Sequence, residues 1–144
     1  MKLTEDGKNF IKGWESLKLK AYKCSSGRWT ISWGVTHNVS EGDQISEKEA
    51  EQMFLKALAP FEAGITAMVK VPLSQHEFTA LVSLAYNVGL NSVATSRLIK
   101  KLNMGDREGA AEEFSIGWDT SNGERVLGLI RRREAERNLF SETQ

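Results

Sequence analysis

Residues 15–36 read ESLKLKAYKCSSGRWTISWGVT, and their pattern differs from that of the sequence on either side. Large aromatic and β-branched side chains alternate here with polar ones, as is typical of strands with one buried face. Gly27, Gly34 and Gly42 interrupt the alternation at positions suited to turns. Residues 19–45 are therefore predicted to form a small antiparallel sheet, and no other segment has this pattern.

Helix signatures dominate the rest of the chain. The residues placed to cap helix starts are Thr4, Ser46 with Glu49, Ser74 with Glu77, and Asp106. Hydrophobic spacing over residues 46–68 predicts a helix that Pro60 and Gly64 are expected to kink or break. Residues 93–102 are predicted to form one helix, and a last helix is predicted over about residues 125–140.

The order of these elements predicts a fold of the α+β class, mostly α. One helix, a small sheet and a helical bundle follow each other along a single domain of residues 1–144. Residues 15–60 are expected to form a small lobe with the sheet. Residues 1–14 and 61–144 are expected to form a larger helical lobe, with a ligand-binding cleft between the two.

Composition and charge indicate where the protein is located and which classes of partner it has. The chain has 144 residues, a net charge of zero and one cysteine, Cys24, so an internal disulfide is excluded. No segment resembles a signal peptide or a transmembrane helix, so we expect the protein to stay in the cytoplasm until a membrane is permeabilised. Zero net charge gives no argument for a nucleic-acid partner or for stable membrane insertion.

Residues 125–137 depart from this balance, with five arginines and two glutamates. A run of this kind is typical of a solvated helix face, although it could also meet an anionic surface. A helical nucleic-acid binder would use such a segment, but the zero net charge of the whole chain argues against that class.

Glu15 is the first candidate catalytic residue, because it lies where the first helix should end, beside Trp14. A carboxyl group packed against aromatic surface loses solvation, and this favours its protonated form. A glycosidase needs such a group to protonate the leaving oxygen of a sugar. An isolated glutamate at a helix end is also common on solvated surfaces, so its position alone leaves both interpretations open.

The spacing around Glu15 adds a family resemblance. Eight residues separate Glu15 from Cys24, five separate Cys24 from Thr30, and WTISWG spans residues 29–34. This arrangement closely resembles the catalytic segment of the phage-type lysozymes, or endolysin muramidases. Three later segments resemble helices of that family in the same order: LAYNVG at 84–89, SRLIKKLN at 96–103 and GLIRRREAER at 128–137.

The resemblance implies a two-lobe lysozyme fold and a bacteriolytic hydrolase. Its implied reaction is cleavage of the β-1,4 bonds between N-acetylmuramic acid and N-acetylglucosamine in bacterial peptidoglycan, leading to host cell lysis. By position, Glu15 is implied to be the general acid, and Thr30 to hold the attacking water. Peptidoglycan is then the expected partner of a monomeric enzyme.

Cys24 stands where the family usually has aspartate, although cysteine occurs there in some members. An aspartate is ionised at neutral pH, whereas a thiol must first lose its proton to act as a base. Lys23 and Arg28 are close enough in sequence to favour the thiolate. A thiolate that orients water would invert the anomeric centre, and one that attacks the sugar would retain it.

The candidates for sugar contacts are Asn87, Trp33 and Tyr22, for which core packing or another structural role is the alternative. His37 and His76 are isolated in sequence, so neither a metal site nor a cofactor is predicted. Two other functions stay open: a lysozyme-like protein that binds peptidoglycan with weak or no cleavage, and a transglycosylase that forms anhydromuramic ends.

Overall fold

The computed structural model describes residues 1–142, and within that range it contains seven helices and four strands. In chain order the elements are α1 (Glu5–Trp14), β1 (Leu17–Lys23), β2 (Trp29–Trp33), α2 (Glu47–Met68), α3 (Gln75–Val88), α4 (Leu90–Ala94), α5 (Arg97–Asn103), α6 (Arg107–Glu113), β3 (Thr120–Ser121), β4 (Glu124–Arg125) and α7 (Leu127–Phe140). The predicted fold class, α+β and mostly α, is confirmed. Residues 143 and 144 of the predicted helical lobe lie outside the described residues.

The chain divides into two compact units. The first, called the helical unit, comprises Met1–Lys8 and the residues from Phe61 onward, and the second, called the sheet unit, comprises Asn9–Pro60. The divisions fall within α1 and α2, so each of these helices contributes residues to both units. That the whole chain folds as a single domain stays a prediction.

The sheet of the sheet unit is built from β1 and β2, which run antiparallel with Leu17 opposite Trp33. Residues 43–45 extend its pairing, because Ala21 N–H donates to the carbonyl of Asp43 and Ile45 N–H to that of Leu19, both at 2.9 Å. The predicted β region is therefore present, but much of residues 34–42 forms turns and loop.

Side-chain caps begin the helices where the sequence predicts them. Glu77 N–H donates to Ser74 Oγ at 3.0 Å, and Ser74 N–H donates to Glu77 Oε1 at 2.9 Å, which completes a capping box on α3. The other predicted caps are Ser46 with Glu49 on α2, Thr4 on α1 and Asp106 on α6. Each cap satisfies backbone N–H groups that a helix start leaves unpaired.

Helix α2 is not broken at Pro60 or Gly64, so the expected break is wrong, whereas a kink at either residue stays a prediction. The helix runs without interruption from Glu47 to Met68. A Cβ at Gly64 would lie only 2.6 Å from Cδ2 of Leu90, so this glycine permits close packing and does not end the helix. None of the helices within residues 1–142 is both long and apolar enough to cross a membrane.

The prediction of a single helix over residues 93–102 is also wrong, because α4 ends at Ala94 and α5 begins at Arg97. Ser96 has extended backbone angles (φ −81°, ψ 159°), and its hydroxyl accepts the N–H of Ile99 at 3.3 Å. Serine competes well for such cap positions because its oxygen replaces a backbone acceptor. The break is therefore a new helix start, not a distortion.

A second hairpin, β3–β4, was not predicted. Its turn residues Asn122 (φ 52°) and Gly123 (φ 83°) both have left-handed backbones, as a tight two-residue hairpin turn requires. The sequence pattern predicted no strands here. Because β4 occupies Glu124–Arg125, the last helix begins at Leu127 and not at about residue 125.

The expectation of a solvated helix face over the arginine-rich residues 125–137 is wrong for the middle of the segment. Arg132 and Arg133 are only 4% and 1% exposed, so they form neither a solvated helix face nor a surface for an anionic partner. Both ion-pair with the fully buried Glu136, and the Ser83 hydroxyl donates to Glu136 Oε2 at 2.5 Å. Two of the five arginine side chains of this segment are therefore buried in ion pairs inside the helical unit.

Candidate active site

Glu15 is the first residue after α1 and is half-buried. Its N–H donates to the carbonyl of Ile11 at 3.2 Å, so the hydrogen bonding of the helix continues through it. Its carboxyl group packs on Gly34, where a Cβ would lie 2.5 Å from Oε1 and 3.2 Å from the carboxyl carbon. The missing side chain at Gly34 thus leaves the space that the carboxyl group occupies.

Gly34 belongs to a tight turn of residues 31–35, called the Gly34 turn. Ile31 and Val35 close it, each donating its N–H to the other's carbonyl at 2.9 Å. Ser32 (φ 59°) and Gly34 (φ 75°) both have left-handed backbones, which costs a serine on the order of 1 kcal/mol. The buried Ser32 hydroxyl donates to the carbonyl of Ala50 at 2.8 Å and so fixes the turn on α2.

Trp33, a predicted sugar-contact residue, lies in a cluster beside this turn. Its ring centroid is 5.4 Å from that of Phe54 on α2. The ammonium group of Lys12 on α1 lies 4.2 Å from the Trp33 ring centroid and also pairs with Glu51. These contacts give Trp33 a packing role, and a sugar contact by its half-buried ring stays a prediction.

Cys24 lies in the turn between β1 and β2. Its N–H donates to the carbonyl of Arg28 at 2.9 Å, and its Sγ lies 2.9 Å from Ser26 Oγ. Hydrogen bonds from the Ser26 and Thr30 hydroxyls, with smaller help from backbone N–H groups, lower the pKa of the Cys24 thiol to about 6. Uncharged donors produce this shift, whereas the sequence suggested the side-chain charges of Lys23 and Arg28.

Thr30 is buried in β2, directly across the sheet from Tyr22 of β1. Its hydroxyl lies 3.1 Å from the carbonyl of Arg28, to which it can donate, and it also hydrogen-bonds the sulfur of Cys24. The structure therefore brings Cys24 and Thr30 together. A buried hydroxyl beside an easily ionised thiol can orient a small polar molecule such as water.

The other two sugar-contact candidates lie in different units. Tyr22 is 39% exposed on β1, with the ammonium group of Lys18 at 5.9 Å from its ring centroid. Asn87 is exposed near the end of α3, in the helical unit. Their exposure leaves both side chains accessible to a ligand, but their roles stay predictions.

The sheet unit thus contains Glu15, Cys24 and Thr30, a carboxyl group, an easily ionised thiol and a hydroxyl. Such a set can supply a proton donor, a base and a group that orients water. Sequence reasoning missed Ser26 and Gly34 as supporting residues, because serine and glycine are common in turns of every kind. Among residues 1–142, no cluster of three or more acidic, histidine or cysteine side chains could hold a metal ion.

Comparison with known proteins gives a consistent result over nearly the whole chain. The model of the phage lysozyme family matches residues 12–136. The endolysin of Acyrthosiphon pisum secondary endosymbiont phage 1 is 44% identical over 144 residues, covering 97% of this chain and 98% of that protein.

Two solved structures have the same fold. The muramidase domain of SpmX from Asticcacaulis excentricus superposes with a TM-score of 0.91 at 31% identity, covering 99% of both chains. An endolysin from Escherichia coli O157:H7 phage FAHEc1 superposes with a TM-score of 0.89 at 36% identity, covering 99% of this chain and 94% of the other. With the family match and the relatives in agreement, the chain belongs to the phage lysozyme family.

Proposed function

We propose that this chain is an endolysin-type muramidase that hydrolyses the β-1,4 bonds between N-acetylmuramic acid and N-acetylglucosamine in bacterial peptidoglycan. Family membership supports the general activity, since related proteins carry the names endolysin and muramidase. The observation that supports Glu15 most directly is its carboxyl group packed on Gly34, which gives a flexible side chain a defined place.

In this proposal Glu15 is the general acid. As the bond between the anomeric carbon and the glycosidic oxygen breaks, the Glu15 carboxyl gives its proton to that oxygen. The half-buried position limits competing hydrogen bonds from water. The contact with Gly34 restricts the carboxyl group to few orientations, so less entropy is lost when the substrate binds.

Cys24 and Thr30 position and activate the attacking water. With a pKa of about 6, the Cys24 thiol is largely ionised at neutral pH and can take a proton from water as the water oxygen attacks the anomeric carbon. Thr30 holds that water through its hydroxyl. After the step, Glu15 is a carboxylate and Cys24 a thiol, and proton exchange with solvent restores both.

Direct attack of the thiolate on the sugar is the other route open to Cys24. The carbon–sulfur bond would replace the glycosidic bond, and water would then break it. These two displacements together would release a sugar with the original anomeric configuration, whereas a single attack by water inverts it. Tyr22, Trp33 and Asn87 are proposed to contact the glycan in either case.

The test is hydrolysis of purified cell wall by Glu15→Gln, followed by mass spectrometry and NMR of the released fragments. The amide keeps the shape of Glu15 but has no proton to donate, so the rate should fall by about 10²- to 10⁴-fold. Glu41→Gln, at an exposed glutamate of the same unit, should cleave at the normal rate. A folded Glu15→Gln protein with unchanged cleavage would contradict the assignment.

The same experiment decides between enzyme classes. Reducing ends on N-acetylmuramic acid indicate a muramidase, and anhydromuramic ends indicate a transglycosylase. If the parent protein, without substitutions, is retained on insoluble cell wall and releases no fragments, it binds peptidoglycan without cleaving it. The replacement of the family's aspartate by Cys24 is the reason to test this alternative. The anomer formed first separates the two roles of Cys24.

We also propose that the protein accumulates as a monomer in the host cytoplasm and reaches the cell wall after membrane permeabilisation. The endolysin relatives support action on the wall. Fractionation of expressing bacteria with an intact membrane should recover the protein in the cytoplasmic fraction. Efficient recovery from the periplasm without any permeabilising protein would contradict this route.

A further inference from the structure

The end of α1 and the Gly34 turn are in contact at two adjacent points. Glu15 packs its carboxyl group on Gly34, and Lys12 places its ammonium group over the ring of the neighbouring residue, Trp33. Lys12 and Glu15 are three residues apart, which puts them on the same face of a helix. A movement of Trp33 relative to α1 would therefore move the surface on which Glu15 lies.

Lys12 is held more firmly than a surface lysine. Its side chain is 19% exposed, and its ammonium group lies 4.2 Å from the Trp33 ring centroid and 5.5 Å from that of Phe54. Glu51 on α2 pairs with the same ammonium group. The cation thus connects α1, the Gly34 turn and α2, and the faces of aromatic rings attract cations at such distances.

We propose that Lys12 is a positioning residue for Glu15, acting through Trp33 and the Gly34 turn. The proposal rests on the proposed muramidase function, in which Glu15 is the acid. Lys12 sets how closely the turn approaches the end of α1, and so where the Glu15 carboxyl group is directed. It has no contact with substrate in this role.

The first test measures kcat and KM for cell-wall hydrolysis by Lys12→Met and Lys12→Arg. Methionine keeps much of the length but removes the charge, so kcat should fall by about tenfold, whereas an effect limited to the proposed glycan contact of Trp33 would raise KM alone and overturn the proposal. Arginine keeps a cation that aromatic ring faces attract, so Lys12→Arg should recover most of kcat. A purely structural Lys12 would instead lower the melting temperature and leave the kcat of the folded protein unchanged.

Lys8→Met is the matched control. Lys8 lies on the same helix with a similar side-chain exposure of 22%, and its ammonium group pairs with Glu5 at 3.2 Å. Lys8→Met should therefore keep the normal kcat, with little change in stability because Glu5 is exposed. An equal loss of kcat in Lys8→Met and Lys12→Met would overturn the proposal.

A double-mutant cycle with Trp33→Leu tests the route of the effect. If Lys12 acts through the ring, Lys12→Met should cause no further loss of kcat once the ring is gone. Losses that multiply would mean that Lys12 acts elsewhere, which overturns the proposal.

Hydrogen exchange gives a readout that needs no activity. The Ile31 and Val35 amides that close the turn should exchange faster in Lys12→Met than in the Lys8→Met control. If exchange is faster but the parent protein does not cleave cell wall, the proposed function is refuted, whereas the effect of Lys12 on the Gly34 turn is supported. Unchanged exchange with an active parent would refute the positioning role alone.

Discussion

At the scale of single residues, the ionisation of Cys24 leads to a pH prediction. Because hydroxyl donors lower its pKa to about 6, the thiolate fraction should rise from about 10% at pH 5 to about 90% at pH 7. Activity should rise over the same interval. Cys24→Ser should lose most activity, whereas Cys24→Asp should keep much of it and shift this rise to lower pH, since aspartate ionises near pH ~3.9.

Ser26→Ala is the control for the cause of that shift. Removing the largest donor should raise the pKa of Cys24 and move the increase in activity to higher pH, with little change in activity at alkaline pH. Cleavage rates and melting temperatures of these variants, measured from about pH 4 to pH 9, test both statements. A fully active but less stable Cys24→Ser protein would exclude Cys24 from the reaction.

Gly34 gives a second prediction at this scale. Gly34→Ala should lose about 1 kcal/mol of stability from its left-handed backbone and most of its activity, because the new methyl group occupies the place of the Glu15 carboxyl. Gly42→Ala is matched to it, with φ +89° and no atom within 4 Å of the added Cβ. It should lose similar stability but keep activity, as paired unfolding and hydrolysis measurements would reveal. Equal activity in the two variants would refute the steric argument.

At the scale of secondary-structure elements, the break between α4 and α5 depends on Ser96. Ser96→Ala removes the cap of α5 and should lower the free energy of unfolding by about 1 kcal/mol. Ser92→Ala, at an exposed position in α4, should change it by less than about 0.5 kcal/mol. Urea denaturation of the two variants provides the comparison, and a Ser96→Ala protein as stable as its parent would show that packing alone sets the break.

Local signals explain which elements could be predicted. The capping boxes at Ser46 and Ser74 act over three residues, so the sequence alone locates α2 and α3. Leu90, which lies far along the chain, packs closely on Gly64 of α2, and no local signal in the sequence predicts that contact. The short β3–β4 hairpin had only its Asn-Gly turn as a signal, because its strands are two residues each.

As with the secondary-structure elements, only part of the candidate site could be predicted from the sequence. The spacing of Glu15, Cys24 and Thr30 identified the residues that could do chemistry, through resemblance to a family. It could not identify Ser26 or Lys12, whose proposed roles rest on distances to a sulfur atom and to an indole ring. A sequence pattern reports the residue types that chemistry needs, whereas the residues that hold them depend on the folded backbone.

At the scale of the whole molecule, a net charge of zero conceals a buried ionic cluster around Glu136. Burial raises the pKa of Glu136 and lowers that of Arg133, so desolvation opposes both charges and their mutual contact offsets it. Arg132 and Arg133 both bind this carboxylate, and Arg133 also donates to the carbonyl of Trp118 at 3.2 Å. The cluster connects α7 to the loop before β3.

Glu136→Gln should therefore be severely destabilised, because two buried guanidinium groups would lose their counter-charge. We expect a loss of about 3–5 kcal/mol in the free energy of unfolding. Glu134→Gln, at an exposed position on the same helix, should stay within about 0.5 kcal/mol of the parent. Urea denaturation at neutral pH measures both, and a stable Glu136→Gln protein would mean that the arginines find other partners.

The hydroxyl of Thr30 has one hydrogen but two acceptors within reach, the carbonyl of Arg28 and the sulfur of Cys24. While the thiol is neutral, that hydrogen can point to the carbonyl; once the sulfur is ionised, rotation about the Thr30 C–O bond turns it to the sulfur. The carbonyl is not left unsatisfied, because the N–H of Cys24 also donates to it at 2.9 Å. The thiol can thus lose or regain its proton while only the hydroxyl hydrogens of Thr30 and Ser26 turn, with every heavy atom of the hairpin tip in place. Little reorganisation energy is then required for each proton transfer.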